Sequence, residues 1–131
     1  MSYQLTYLAT PYSHESPSVR EARFAAINLA ASRLMSHGVL LFSPISHTHP
    51  IALAGDLPTG WDYWKAYDET MLSACTAMCV LRLTGWDKSA GVAGETAIAM
   101  RLRLPIYYAL ADADSLRAAS YWLKEQCHTP G

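Results

Sequence analysis

Apolar positions along the chain alternate between short compact runs and longer stretches in which they recur every third or fourth residue. The short runs are Leu5 to Ala9, Val39 to Phe42, Met78 to Leu83 and Ile106 to Leu110, and each reads as a strand. Between the first two, Phe24, Ile27, Ala31 and Leu34 share one helical face. Pro17 suits the first turn of that helix, Ser16 its cap, and Gly38 its left-handed stop. A helix joining two short apolar strands is a crossover, so the strands are expected to be parallel and the connection right-handed. Trp61 to Cys75 reads as a second helix, with Trp64, Asp68, Met71, Leu72 and Cys75 on one face. A third, rich in Ala and Met, runs from Gly91 towards Arg103, and a last one, capped by Asp112 or Asp114, ends near Cys127. Ser43 to Gly60, which carries Pro44, Pro50, Pro58, Gly55 and Gly60, reads as a long irregular loop.

That order of elements predicts a single α/β domain over residues 1–131, a three-layer sandwich around a doubly wound parallel sheet of flavodoxin or Rossmann-like type, with strand order 2-1-3-4. The carboxyl ends of the first and third strands then flank the switch point, where such sheets bind ligands. Tyr7, Tyr12 and Ser13 come to it from one strand, and Trp86, Ser89 and Glu95 from the other.

The stretch from Gly85 to Glu95 is the centre of the candidate chemistry. It reads as strand end, turn and helix start, so Glu95 falls in the first turns of a helix. The helix dipole favours an acid there by about 0.3–1 kcal/mol, which is expected to keep it ionised as a nucleophile; a surface residue that only complements the dipole has the same position. Gly91 and Gly94 each cost helix propensity by about 1 kcal/mol relative to Ala, and with Ala93 and Ala97 they are expected to leave the backbone open to a ligand. Asp68 points inward, where burial raises a carboxyl pKa. It is either a general acid at a pocket edge or a core residue bonded to backbone or an arginine. His47-x-His49 has no Cys, Asp or Glu following at a ligand spacing, which favours substrate contact or loop solvation over a metal.

Composition narrows the partners. A net charge of -1 offers no surface for duplex nucleic acid, although one nucleotide in a pocket remains compatible. Half the residues are apolar and few are charged, which points to apolar surface covered by another subunit, as a homodimer or higher homo-oligomer. Cys75, Cys79 and Cys127 form no CxxC pair and are odd in number, which fits a reducing cytoplasm. Neither a signal-like N-terminus nor an apolar run long enough for a membrane span is seen, so no membrane is expected as a partner.

Nearly the whole chain resembles the nucleoside 2-deoxyribosyltransferase-like superfamily, including its small bacterial and phage members. The likeness lies in Tyr7-Leu8-Ala9-Thr10-Pro11-Tyr12-Ser13, His37-Gly38-Val39, Trp64-Lys65-Ala66-Tyr67-Asp68, and Gly85-Trp86-Asp87-Lys88-Ser89-Ala90-Gly91 leading to Glu95. The resemblance implies that Glu95 attacks the anomeric carbon of a deoxyribosyl group and that Asp68 helps the base leave. Tyr7 would steer Glu95, Ser13 and Ser89 would bind phosphate, and Trp64 or Trp86 would stack on the base. Tyr12, His47, Asp87 and Gly91 complete the expected substrate contacts, with no metal or organic cofactor required. One departure is informative: transferases acting on free nucleosides carry an Asp six residues before the nucleophile, where this chain has Ser89. Deoxynucleoside 5′-monophosphate N-glycosidases of the superfamily also have Ser there and use it on the phosphate, so the resemblance tilts towards a nucleotide. The Gly-Trp-Asp insertion is unlike either group. A non-catalytic nucleotide sensor or phage accessory protein is the alternative, and NAD glycohydrolase chemistry a third.

Overall fold

The structure is a computed structural model that describes residues 3–126, so Cys127 lies outside the described residues. All four residues of strand β1 (Thr6–Ala9) are fully buried, the mark of a central strand covered on both faces. The chain continues through α1 (Pro17–Ser36), β2 (Leu41–Phe42), α2 (Pro44–Gly55), α3 (Trp61–Leu72), β3 (Ala77–Leu81), a 3-10 turn (Trp86–Lys88), α4 (Ala90–Arg101), β4 (Ile106–Ala109) and α5 (Ala113–Lys124). The four strands are parallel in the order β2-β1-β3-β4, with Tyr7 opposite Phe42 on one side and Met78 on the other. The three-layer α/β sandwich read from the sequence is therefore the observed fold.

Strand alternation sorts the core into two layers. Leu8, Cys79 and Leu81 face Ile27 and Leu34 of α1 and Leu116 and Leu123 of α5. Tyr7, Ala9, Met78 and Val80 face Leu72 of α3 and Val92, Ile98 and Ala99 of α4. Tyr7 thus leaves the central strand on the side where α3 and α4 pack. Gly38, at φ 90°, ends α1 in the left-handed conformation its position suggested. No helix among the described residues is long and apolar enough to cross a membrane.

Three local expectations are corrected. Ser43 to Gly60 is not a long loop, because most of it forms α2. Pro44 occupies a first-turn position that needs no N–H, and Ile45, Thr48, His49 and Ala52 recur at helical spacing and turn inward. The Thr48 hydroxyl donates to the Pro44 carbonyl at 2.9 Å, and Asp56 closes the helix in the left-handed region at φ 51°. Ser16 stands at the N-cap of α1 but its side chain bonds Ser18 Oγ at 2.9 Å instead of a helix amide. α3 stops at Leu72, with Cys75 in the turn beyond it. At the last helix Asp112 is the cap: its Oδ1 accepts from the Ser115 N–H at 2.8 Å.

The space at Gly94 is not left open for a ligand. A Cβ there would collide with Cζ2 and Cε2 of the Trp61 indole, so Gly94 is the residue that lets α3 and α4 close on each other. Helix propensity alone makes Gly94→Ala stabilising by about 1 kcal/mol. The packing reverses that sign: overpacking costs about 1–3 kcal/mol, and Gly94→Ala is expected to lower the melting temperature by several degrees. A rise in Tm would show that the indole moves aside without cost.

Candidate active site

The cavity at the β1/β3 switch point is built by two turns. After β1 the chain runs through Thr10, Tyr12 and Ser13. After β3 it reverses at Gly85, held at φ 90°, and the 3-10 turn delivers Ser89 to the N-cap of α4, where Ser89 Oγ accepts the Val92 N–H at 3.2 Å. Arg23 of α1 ties the two turns together, donating to the carbonyls of Tyr12 (3.2 Å), Ser13 (3.0 Å) and Thr84 (3.4 Å). With α2 and α3 these turns enclose about 380 Å³, within the usual range for a small-molecule site.

Two buried carboxyl groups reach this cavity, Glu95 from the second turn of α4 and Asp68 from α3. The Tyr7 hydroxyl donates to Glu95 Oε2, so a phenol from the central strand holds a carboxyl from α4 across the apolar layer. Burial raises the pKa of Asp68 to about 6, against which hydrogen bonds with Tyr7 and Glu95 work. Glu95 is raised well above the ordinary range, first by burial and then by the negative charge of Asp68, with the Tyr7 bond opposing. Tyr7 is raised in turn by burial and by both acids, and stays a proton donor. Burial thus favours the protonated form of both carboxyls, and the negative charge of Asp68 further opposes ionisation of Glu95. The expectation that the helix dipole keeps Glu95 ionised meets an opposing effect: the residue is 5% exposed, and loss of hydration raises its pKa against a dipole effect of about 0.3–1 kcal/mol.

Tyr12, Ser13, Trp64, Ser89 and Gly91 all line the cavity with Asp68 and Glu95, and Tyr7 stands behind Glu95. Several of these polar groups already have protein partners. Ser13 Oγ donates to the Thr59 carbonyl at 2.6 Å and Trp64 Nε1 to the Pro58 carbonyl at 2.8 Å, so both pin the segment between α2 and α3. Three expected contacts lie elsewhere. His47 is on the outer side of α2, in a separate groove, with its ring stacked on Tyr67 at 6.4 Å. The helical phase that turns Thr48, His49 and Ala52 inward turns His47 away. Trp86 packs on Tyr108 of β4 at 5.7 Å, and Asp87 is exposed. The tight 3-10 turn sends these two away from the cavity and brings Lys88 to it.

Sequence reasoning gave no site role to Thr10, Trp61 and Lys88 and weighed His49 only with His47 as a pair for substrate contact or loop solvation, yet all four line the cavity. His49 was legible as a member of the Ile45, Thr48, His49, Ala52 stripe, but the prolines around it obscured the helix. Its ring is 3% exposed and stacks on Phe24 at 4.2 Å. Nδ1 bonds the Tyr12 hydroxyl, and Nε2 meets Glu21 at 2.8 Å. Lys88 has no acidic partner among the described residues and stands beside the first amides of α4, a combination that favours an anion. No group of three His, Cys, Asp or Glu side chains among the described residues is placed to hold a metal ion.

A family model described as Domain of unknown function (DUF1937) matches residues 4–110, a span that contains both turns and every residue lining the cavity. No curated protein matches the chain.

Because Asp68 has a raised pKa when folded, the stability it contributes is present below the ordinary carboxyl pKa near 4 and is lost as pH rises through about 6. Asp68→Asn removes that loss. Thermal melts of the two proteins should nearly coincide at pH 4 and separate in favour of the variant by roughly 2 kcal/mol at pH 7. A gap independent of pH would mean that Asp68 titrates normally.

Proposed function

We propose that this chain, which belongs to the DUF1937 family through residues 4–110, cleaves the N-glycosidic bond of a (deoxy)nucleoside 5′-monophosphate by a retaining double displacement. The observation that carries the reading is the pair of buried acids on one cavity wall, Glu95 and Asp68, with Glu95 braced by Tyr7 at the switch point. A retaining mechanism needs one ionised carboxylate and one protonated acid, and two neighbouring buried acids, each with a raised pKa, favour sharing one proton. In the reacting complex Glu95 is the carboxylate and Asp68 the acid. The Tyr7 hydrogen bond and the positive charge developing on the sugar both favour the Glu95 carboxylate at that moment.

Glu95 then attacks the anomeric carbon, the carbon–nitrogen bond breaks, and the proton on Asp68 passes to the departing base. In the second half Asp68 takes a proton from water, the oxygen attacks the same carbon, and the sugar leaves Glu95 free. A second base in place of water gives transfer. Trp61 and Trp64, both on the cavity wall, offer aromatic faces to the base. The lone ammonium of Lys88, the amides at the start of α4 and the hydroxyl of Ser89 favour a substrate with a 5′-phosphate.

The same proposal takes the reaction to be cytoplasmic, a reading supported only by Cys75 and Cys79 both being free thiols. It also takes the active form to be a homo-oligomer, supported by Leu29, Met35, Leu40 and Leu53, which are large, apolar and exposed.

Protein whose mass by light scattering is a multiple of 14.4 kDa is incubated with nucleosides, their 5′-monophosphates and NAD, and free base is followed by chromatography. Base is expected from a monophosphate. Glu95→Gln is expected to lower that rate by at least about 10³-fold while leaving affinity within about tenfold, since shape is kept and the nucleophile is lost. Tight binding by the wild type without base release would instead establish a nucleotide-binding module.

A further inference from the structure

Among the described residues the side-chain hydroxyl of Thr10 is the one buried side-chain oxygen without a hydrogen-bond partner. Thr10 is 5% exposed, follows directly on β1, and lines the same cavity as Glu95 and Asp68. A buried hydroxyl left unpaired is destabilising, so a sequence that only needed to fill this space is better served by valine, which has the same shape and no polar atom. Its neighbours in the cavity show no such gap. Ser13 donates to a backbone carbonyl, Ser89 accepts a helix amide, and Tyr12 bonds His49. Thr10 is thus the polar group kept in reserve for something that enters.

The position of Thr10 narrows what that is. The buried polar residues on the cavity wall are Thr10 (5%), Glu95 (5%) and Asp68 (8%) together with His49 (3%) and Thr48 (7%), the last two already hydrogen-bonded within the protein, while Lys88 at the phosphate-favouring side is exposed. If Glu95 attacks an anomeric carbon, the group lying among the deep polar atoms is the sugar. Resting on the glycosidic reading above, we infer that Thr10 is a specificity-determining residue whose hydroxyl bonds an oxygen of the substrate's sugar and thereby completes its own hydrogen bonding only in the complex. Sites built in this way reject analogues that lack the partner atom, because the protein's own polar group then stays unpaired.

This assignment gives stability and binding opposite signs in one variant. Thr10→Val is expected to raise the melting temperature by about 2–5 °C, because the unpaired hydroxyl is gone. It is also expected to weaken binding of 2-deoxyribose 5-phosphate, measured by calorimetry, by about tenfold or more. Affinity for inorganic phosphate, which has no sugar, should stay within about twofold of wild type. Thr10→Ser, which keeps the hydroxyl and loses the methyl, should hold 2-deoxyribose 5-phosphate within about threefold. A lowered Tm in Thr10→Val would show that the hydroxyl is already paired in the free protein. Unchanged sugar-phosphate affinity in Thr10→Val, or an equal loss in Thr10→Ser, would overturn the assignment to the hydroxyl. Failure of the wild type to bind 2-deoxyribose 5-phosphate at all is a different result: it removes the nucleotide reading and this inference with it.

Discussion

Two carboxyl groups buried within reach of each other cannot both be ionised, and the arrangement of this cavity follows from that constraint. Glu95 and Asp68 come from neighbouring helices that pack on the same face of the sheet, and Tyr7 from the central strand bonds the first of them. The result is a fixed pair of acids on the cavity wall, largely removed from water, in which ionisation of one opposes ionisation of the other. Neither acid alone would have this property. Asp68 without Glu95 would be an ordinary buried acid, and Glu95 without Tyr7 would lose the one interaction that lowers its proton affinity.

The fold supplies the rest by placing two turns side by side. β1 and β3 are neighbours in the sheet though far apart in sequence, and their connections leave in opposite directions. The crevice between those connections is held at constant width by Arg23, whose guanidinium reaches carbonyls on both turns. Helix packing is adjusted to the same end. Gly94 admits the Trp61 indole against α4, which brings α3 close enough for Asp68 to face Glu95. Glu21, His49 and Tyr12 form a chain from the surface to the cavity wall that fixes the opposite side.

The sheet order and the pair Glu95 and Asp68 were legible in the sequence because each rests on a strong local signal: compact apolar runs for the strands, and an acid on an apolar helical stripe for Asp68. The raised proton affinity of Glu95 was not, since burial is a tertiary property and the local dipole argument points the other way. α2 was hidden by Pro44 and Pro50, and with it the fact that His49, not His47, faces the cavity. Trp86 was expected at the site, but the 3-10 turn sends it onto Tyr108 and brings Lys88 to the cavity instead. The glycine at position 94 was noticed for the right reason, the absence of a side chain, but what fills that space is Trp61 rather than a ligand. No partner could have been foreseen as missing at Thr10, because an unpaired hydroxyl is visible only when every neighbour is known.

The central claim is that Glu95 becomes covalently bonded to the anomeric carbon. A 2′-deoxy-2′-fluoroarabino nucleoside 5′-monophosphate slows release of such an intermediate, because the fluorine disfavours the positive charge that develops on the sugar. Mass spectrometry of the protein after incubation with that compound should find it heavier by one fluorinated sugar phosphate, with the added mass on the peptide that contains Glu95. Base release without any adduct and with inverted configuration at the anomeric carbon, or an adduct on a residue other than Glu95, would contradict the account.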